Sequence, residues 1–229
     1  MTKLSRRSLL GGLAAGGVAL LVPGGTRSAQ AAAASSGKGK KMKKEDFYEG
    51  GKFNKAKALE AYYDLMRRFH YPIYAVLKTD QFWTSDFAQN DFLNVGMAGI
   101  FWINNTEAGY FGHEIYLLPG QMIVEHGHNK VPEGPAKLES WLVRHGLVYT
   151  FGEGEPTRDL PVALPESQLK ANGITVRNCK ILKEGEVGSL NRSTAKHFMI
   201  AGPAGAIVTE YGTPHYGPAL EFTNKTVVF

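Results

Sequence analysis

The chain has 229 residues, 43% of them hydrophobic, and a formal net charge of +5. This length favours one well-buried domain. Nine of the 26 Lys and Arg residues precede Glu45 and no acidic residue does, which leaves 17 basic against 21 acidic residues, about −4, in the rest. The basic character therefore belongs to the N-terminal tail, and nothing supports nucleic-acid binding. The single cysteine, Cys179, excludes an internal disulfide and is interpreted as a structural thiol.

Residues 1–31 resemble a twin-arginine (Tat) export signal. Arg6 and Arg7 precede a Gly/Ala/Leu run that reaches Val22, and Ala29-Gln30-Ala31 has the small-x-small pattern of a cleavage site. The resemblance implies export of the folded protein by the Tat translocon to the periplasm or another extracytoplasmic space. The alternative is an anchor helix that is never cleaved. Residues 32–46, rich in Gly, Ser and Lys, are expected to form a basic flexible linker.

The body is predicted to contain one helix followed by many short strands. Apolar residues at 3–4 spacing between Phe47 and Phe69 indicate an amphipathic helix that ends before Pro72. Residues 152–173 are expected to form a long connection. Short β-branched and aromatic runs separated by Gly, Pro and Asn predict a sandwich or barrel. The predicted strands are 97–103, 112–118, 122–128, 138–144, 147–151, 174–176, 196–200, 206–211, 220–222 and 226–229.

A pair of histidines on one predicted strand points to a metal site. His126 and His128 are two residues apart, so in an extended strand they project from the same face. A third ligand must come from a neighbouring strand. Glu139 lies in an otherwise apolar predicted strand, where a carboxylate is costly unless it is paired or bound to a metal. Glu133 is the alternative, although Pro132 and Pro135 indicate a loop there.

The spacing of these residues resembles the first cupin motif. Gly120 stands six residues before His126, and Glu139 is followed by six residues and then Gly146. Ten residues separate His128 from Glu139, where cupins usually have three or four, and this longer spacing resembles the D-lyxose ketol-isomerase group. The segments "GMAGIFWINN", "GYFGHEIYLLPGQ" and "KHFMIAGPAGAIVTEY" resemble the same group. The resemblance implies an all-β cupin barrel (double-stranded β-helix, jelly roll) with an N-terminal helix over residues 47–229.

A cupin takes its last metal ligand from a later strand. The resemblance implies His197 in this position, with His215 as the rival. The remaining histidines, His70, His113 and His145, are interpreted as surface or rim residues, although His113 lies on the strand that leads into the motif.

The expected chemistry is isomerisation of a sugar. Three imidazoles and a carboxylate can hold Mn(II), which we expect, or Fe(II), Co(II), Ni(II) or Zn(II). Such an ion can stabilise an enediolate while a protein base moves a proton between C1 and C2. Glu210 and Glu221 are the candidate bases, because both lie in apolar strand contexts near the C-terminus. The family's basic residue is not located by the sequence, and Gly127 stands where relatives carry a larger residue.

Two other functions remain open at this point. A cupin dioxygenase or oxidase could use the same ligands with Fe(II) or Mn(II), and a non-catalytic exported cupin could capture a sugar or a metal, since one fold serves many functions. We expect a small-molecule sugar partner, no nucleic acid, no stable membrane anchor and a homodimer.

Overall fold

The computed structural model describes residues 42–229. The predicted export signal and residues 32–41 of the predicted linker lie outside this range. The remainder of the linker differs from expectation, since Met42 packs against the core and Lys44–Phe47 form a 3₁₀ turn. Phe47, the first residue of the predicted domain, is buried.

Eleven strands and two α-helices make up the described range, together with 3₁₀ turns at Lys44–Phe47, Ala75–Lys78 and Gly217–Ala219. In chain order the elements are β1 (Tyr48–Glu49), β2 (Lys52–Phe53), α1 (Lys55–Arg68), β3 (Trp83–Ser85), β4 (Met97–Asn105), β5 (Tyr110–Leu117), β6 (Met122–His128), β7 (Glu139–Gly152), α2 (Glu166–Lys170), β8 (Asn178–Lys183), β9 (Val187–Ser189), β10 (His197–Gly212) and β11 (Leu220–Phe222). No helix in residues 42–229 is both long enough and apolar enough to span a membrane.

Strand β10 is the centre of a nine-stranded antiparallel sheet. On one side it pairs with β7 over Phe198–Ala201 and again over Ala206–Gly212. On the other side its first part pairs with β6 and its second part with β5. The path continues from β6 to β11 and from β5 through β4 to β3, while β8 and β9 pair with β7. The sheet curls around an apolar interior, in agreement with the expected cupin architecture.

Two pairs of predicted strands are in fact single long strands. Residues 138–144 and 147–151 belong to β7, and residues 196–200 and 206–211 belong to β10. The glycines that suggested turns bend these strands without ending them. Gly146 and Gly205 both have positive φ, +79° and +84°, and a Cβ on Gly146 would lie 2.2 Å from the carbonyl oxygen of Gly205. The two paired strands therefore approach each other at this irregularity too closely for a side chain at position 146.

Two predicted strands, 174–176 and 226–229, are not strands. The amides of Thr175 and Val176 donate to the Glu125 carboxylate, at 2.7 and 3.0 Å, instead of to a neighbouring strand. Near the C-terminus the Val227 amide bonds back to the Asn224 carbonyl, which makes a turn. The β-branched residues of these segments predicted strand pairing. Hydrogen bonds to a side chain and within a turn take its place.

The predicted helix is α1, which packs on the outer face of the sheet. It begins at Lys55 and not near Phe47, because β1 and β2 pair as a short hairpin before it. Asn54 caps its first turn by accepting from the Lys57 amide at 3.1 Å. Its buried face includes Tyr62, Leu65 and Met66, which pack in one cluster with Tyr116 and Ile207 of the sheet. α1 therefore covers one part of the outer face of the sheet.

Candidate functional site

Strands β6 and β10 bring three histidines together. His126 and His128 both project inward from β6, and His197 is the direct cross-strand partner of His126. The rings of His126 and His197 have centroids 4.4 Å apart, and those of His126 and His128 are 5.1 Å apart. The sequence-based expectation that these imidazoles share one face therefore agrees with the structure.

Backbone carbonyl groups fix the orientation of two of these rings. His126 Nδ1 lies 2.9 Å from the Val124 oxygen, and His197 Nδ1 lies 2.8 Å from the Ala195 oxygen. Because a carbonyl only accepts, each Nδ1 carries a proton, and in the neutral form of each ring Nε2 then has a free lone pair. Burial, followed by the neighbouring His197 and His128, holds the pKa of His126 well below its usual range, so its ring is neutral. This is the tautomer that binds metal ions.

Glu139 completes the group from the start of β7. Its two carboxylate oxygens lie 2.6 Å from His197 Nε2 and 3.4 Å from His128 Nε2. Burial alone would raise the pKa of Glu139, but Lys137 and His197 beside it hold that pKa well below its usual range. Glu139 is thus an ionised carboxylate in a site that is almost wholly buried.

The four side chains fit a divalent cation. One donor atom from each of His126, His128, Glu139 and His197 lies within 4.8 Å of the other three. The Nε2 atoms of His128 and His197 are buried and make no hydrogen bond within residues 42–229, because their contacts with Glu139 lack hydrogen-bond geometry. Buried polar atoms in folded proteins rarely lack a hydrogen-bond partner. The four donor atoms are grouped closely enough for one metal ion to bind all of them.

A second group of charged residues faces the same cavity. Glu210 lies on β10 directly opposite His113 on β5, and its Oε2 is 3.0 Å from His113 Nδ1. Its other oxygen accepts a short hydrogen bond from Lys137. Lys137 also lies 2.8 Å from Glu139, so one ammonium group joins the two carboxylates. Burial alone would lower the pKa of Lys137, but Glu139 and Glu210 more than offset this and raise it.

Both groups line one cavity of about 590 Å³, its mouth included. The rest of its wall is apolar and largely aromatic. This volume accommodates a small sugar, and the placement of the Glu210 side chain near a metal-type cluster is suited to proton transfer on a bound substrate.

Relatives with assigned activities resemble the chain over more than half its length. No protein-family model matches it. A D-lyxose/D-mannose isomerase of Thermosediminibacter oceani is 33% identical over 129 residues, 56% of this chain and 68% of that protein. A D-lyxose ketol-isomerase of Cohnella laeviribosi is 32% identical over 129 residues, with the same coverage. The chain belongs to the D-lyxose ketol-isomerase family. Since this is a family of sugar isomerases, the class of enzyme expected from the sequence is confirmed.

Solved structures confirm the fold of this family member. An L-ribose isomerase of Cellulomonas parahominis, solved with L-ribose, superposes with a TM-score of 0.56 at 16% identity, over 74% of this chain and 90% of that one. An L-ribose isomerase of Acinetobacter sp. DL28, also with L-ribose, gives a TM-score of 0.56 at 15% identity, over 75% and 91%. At these identities the likeness concerns the cupin architecture alone.

The structure separates the alternatives that the sequence left open. Glu139 lies in the cluster, whereas Glu133 is exposed in the loop before β7. His197 lies in the cluster, and His215 lines the cavity outside it, with burial and then Lys137 lowering the pKa of His215 to about 4. His215 is therefore neither a member of the cluster nor an exposed loop residue.

The expectation that Glu221 faces the site is wrong. Glu221 is on β11, where it is paired with Gly127, and its side chain is 49% exposed. It accepts a hydrogen bond from Asn129 at 2.8 Å and lies 3.4 Å from Lys225, outside the cavity. Alternation along a strand only three residues long gave no means of telling which face is inner. Leu220 and Phe222, its neighbours, line the cavity instead.

Two site residues were missed or undervalued from the sequence. Lys137 is a basic residue of the site that the sequence did not locate, and a lysine two residues before a buried glutamate was the available signal. His113 is buried in the cavity wall and not at the rim. Its position on the inward face of β5, opposite Glu210, could be known only from the strand register.

Proposed function

We propose that the chain is a metal-dependent aldose–ketose isomerase that acts on an aldose of the D-lyxose or D-mannose type. One observation carries this proposal: the His126–His128–Glu139–His197 cluster and the buried Glu210 carboxylate line the same small cavity. The substrates come from the names of the two relatives at 32–33% identity.

The cluster residues would hold the cation, with Mn(II) favoured and Fe(II), Co(II), Ni(II) or Zn(II) as alternatives. A bound divalent ion polarises the carbonyl and hydroxyl oxygens of an aldose, which lowers the barrier to removing the proton on C2. The chain supplies the Nε2 atoms of three histidines and the ionised Glu139 carboxylate for this purpose.

Glu210 is the proposed base. Its carboxylate takes the proton from C2 of the aldose and returns it to C1, while the proton of the C2 hydroxyl passes to the oxygen on C1, giving the ketose. Lys137 and His113 donate hydrogen bonds to its two oxygens and hold the carboxylate in one orientation. Because Lys137 also bonds Glu139, the spacing between the base and the cluster is fixed by a single side chain.

The proposal is tested with purified protein loaded separately with each of the five ions. Conversion of D-lyxose to D-xylulose, or of D-mannose to D-fructose, is the expected result, together with its loss on chelation and recovery on adding the ion back. Oxygen uptake without isomerisation would indicate an oxygenase, and tight sugar binding without product would indicate a binding protein. Either result would contradict the proposal.

Export remains part of the proposal, on the basis of the Arg6-Arg7 pattern and the small-residue site at 29–31. We expect a mature protein cleaved after Ala31 in an extracytoplasmic fraction, and retention of the full-length chain when both arginines are changed to lysine. Intact protein in the cytoplasm of the native host would contradict export.

A homodimer is also proposed. Trp102, Ile103 and Tyr211 lie on neighbouring strands of the outer face of the sheet and are exposed, and a second copy could cover them. Light scattering on the purified protein should give twice the chain mass, and a concentration-independent monomer would contradict the dimer.

A further inference from the structure

The side chains that line the cavity are either ionisable or apolar. Twenty-one side chains line it, and eight of them are ionisable. The other thirteen are aliphatic, aromatic or thioether groups, and none of the lining side chains in the described range is a hydroxyl or a carboxamide. Sugar sites usually need several such groups, because each buried hydroxyl requires a hydrogen-bond partner.

Most of the ionisable groups are already engaged. Four of them form the cluster, and Lys137 is shared between Glu139 and Glu210. The His113 ring donates through Nδ1 to Glu210, while its Nε2 faces the backbone at Gly99, where a Cβ would lie 2.3 Å away. Outside the four-residue cluster, His215 is the one lining histidine whose ring nitrogens both lack a hydrogen bond within residues 42–229; only its backbone is bonded, to Asn104. One imidazole therefore remains for the hydroxyls beyond C2.

An aromatic wall runs along the cavity beside both groups. We use this name for Trp83, Phe87, Phe222 and Phe229, whose rings contact one another at centroid distances of 5.2–6.3 Å. Phe222 lies 6.1 Å from the His126 ring, and Trp83 stacks on His113 at 5.7 Å. The wall therefore borders the space between the cluster and Glu210.

The wall offers almost no hydrogen bonds. The backbones of Trp83 and Phe222 are engaged in strand pairing with Gly99 and His126. The indole N–H of Trp83 is the one polar side-chain group, and it can donate but not accept. A hydroxyl that leaves water to lie on this wall loses partners, whereas a methyl group gains contact area.

Building on the proposed isomerase function, we propose that the site takes aldoses whose far end is deoxygenated, such as 6-deoxyhexoses and 5-deoxypentoses, in preference to the corresponding fully hydroxylated sugars. The cluster and Glu210 act on C1 and C2 of the sugar. His215 forms a hydrogen bond with one further hydroxyl, and the aromatic wall packs against the terminal methyl group. Sugar phosphates are excluded, because the cavity's single lysine is already neutralised by two carboxylates.

The test compares matched pairs of substrates with the metal-loaded full chain. The ratio of kcat/KM for 6-deoxy-D-mannose over D-mannose, and for 5-deoxy-D-lyxose over D-lyxose, is expected to be about 10 or more, the effect of one unpaired buried hydroxyl. Equal values, or a preference for the hydroxylated sugar of each pair, would overturn this inference and leave the isomerase proposal intact. Absence of turnover for all four sugars would overturn both.

A variant links the preference to the wall. Phe229→Tyr adds a hydroxyl at the half-exposed end of the wall and should lower the ratio at least threefold by giving the terminal hydroxyl of the substrate a partner. Phe53→Tyr adds the same hydroxyl to a ring that packs outside the cavity, against Tyr48 and Phe92, and should leave the ratio unchanged. The same ratio in both variants and in the unaltered chain would contradict a role for the wall.

Discussion

Lys137 holds Glu139 and the proposed base at a fixed separation, since its ammonium lies 2.8 Å from the Glu139 carboxylate and also donates to Glu210. All three side chains are buried, and each is at most 7% exposed. A charge network of this kind is strongly destabilised when one member is removed, because the others remain in the interior without compensation.

The first prediction concerns this lysine. Lys137→Met should lower the free energy of unfolding of the metal-free protein by about 3–5 kcal/mol, since two buried carboxylates lose their counter-charge. Lys130→Met changes an exposed lysine in the adjacent loop and should have an effect within about 0.5 kcal/mol. Urea denaturation measures both, and equal stabilities would show that the buried pairs contribute nothing.

The second prediction separates the two candidate glutamates. Glu210→Gln keeps the shape of the side chain but removes the base, so kcat should fall by about 10²–10⁴ while metal content is unchanged. Glu221→Gln alters an exposed residue outside the cavity and should leave kcat as it is. The identity of the base would have to be revised if the Glu221 variant were the inactive one.

The third prediction concerns the cation. Mn(II) at about 100 times its dissociation constant should raise the stability of the folded chain by about 2.7 kcal/mol, because only the folded state presents all four donors. His197→Gln should abolish this increase. His145→Gln is the control, since His145 stacks on Phe69 away from the cavity. Thermal unfolding with and without the ion gives the comparison, and an undiminished increase in the His197 variant would be contrary to expectation.

The fourth prediction concerns the close contact between β7 and β10 at Gly146 and Gly205. In Gly146→Ala the new Cβ lies 2.2 Å from the Gly205 carbonyl oxygen, at a position where φ is positive. Gly185→Ala is the control, because φ is similar there, +83°, and no atom lies within 4 Å of the new Cβ. Left-handed backbone alone should cost the control about 1–2 kcal/mol, and the clash should add about 1–3 kcal/mol to the Gly146 variant. Similar losses in the two variants would mean that the strands do not meet as described.

Much of the fold was predictable because its signals are local. The 3–4 spacing of apolar residues located α1, and β-branched runs located β4, β5 and β6 to within two residues. The errors arose where a glycine bends a strand without ending it, as at Gly146 and in residues 202–205 of β10. The predicted strand at 174–176 failed for another reason. The buried Glu125 carboxylate accepts hydrogen bonds from the amides of Thr175 and Val176, so these amides do not pair with a strand.

The sequence predicted the four residues of the metal-type cluster but not the contacts around them. His126, His128, Glu139 and His197 were identified from spacing and from the family resemblance, and the structure brings them together. The Lys137–Glu210–His113 group depends on which residues lie opposite each other on β5 and β10, a register that sequence spacing does not determine. For the same reason the inward direction of Glu210 and the outward direction of Glu221 could not be distinguished.

The central claim is that four side chains grip one divalent cation beside Glu210. Anomalous diffraction from crystals of the Mn(II)-loaded protein tests it most directly. We predict one manganese peak per chain, bonded to the Nε2 atoms of His126, His128 and His197 and to the Glu139 carboxylate. A peak elsewhere in an enzyme that is active with Mn(II), or full activity with no bound metal, would contradict the claim.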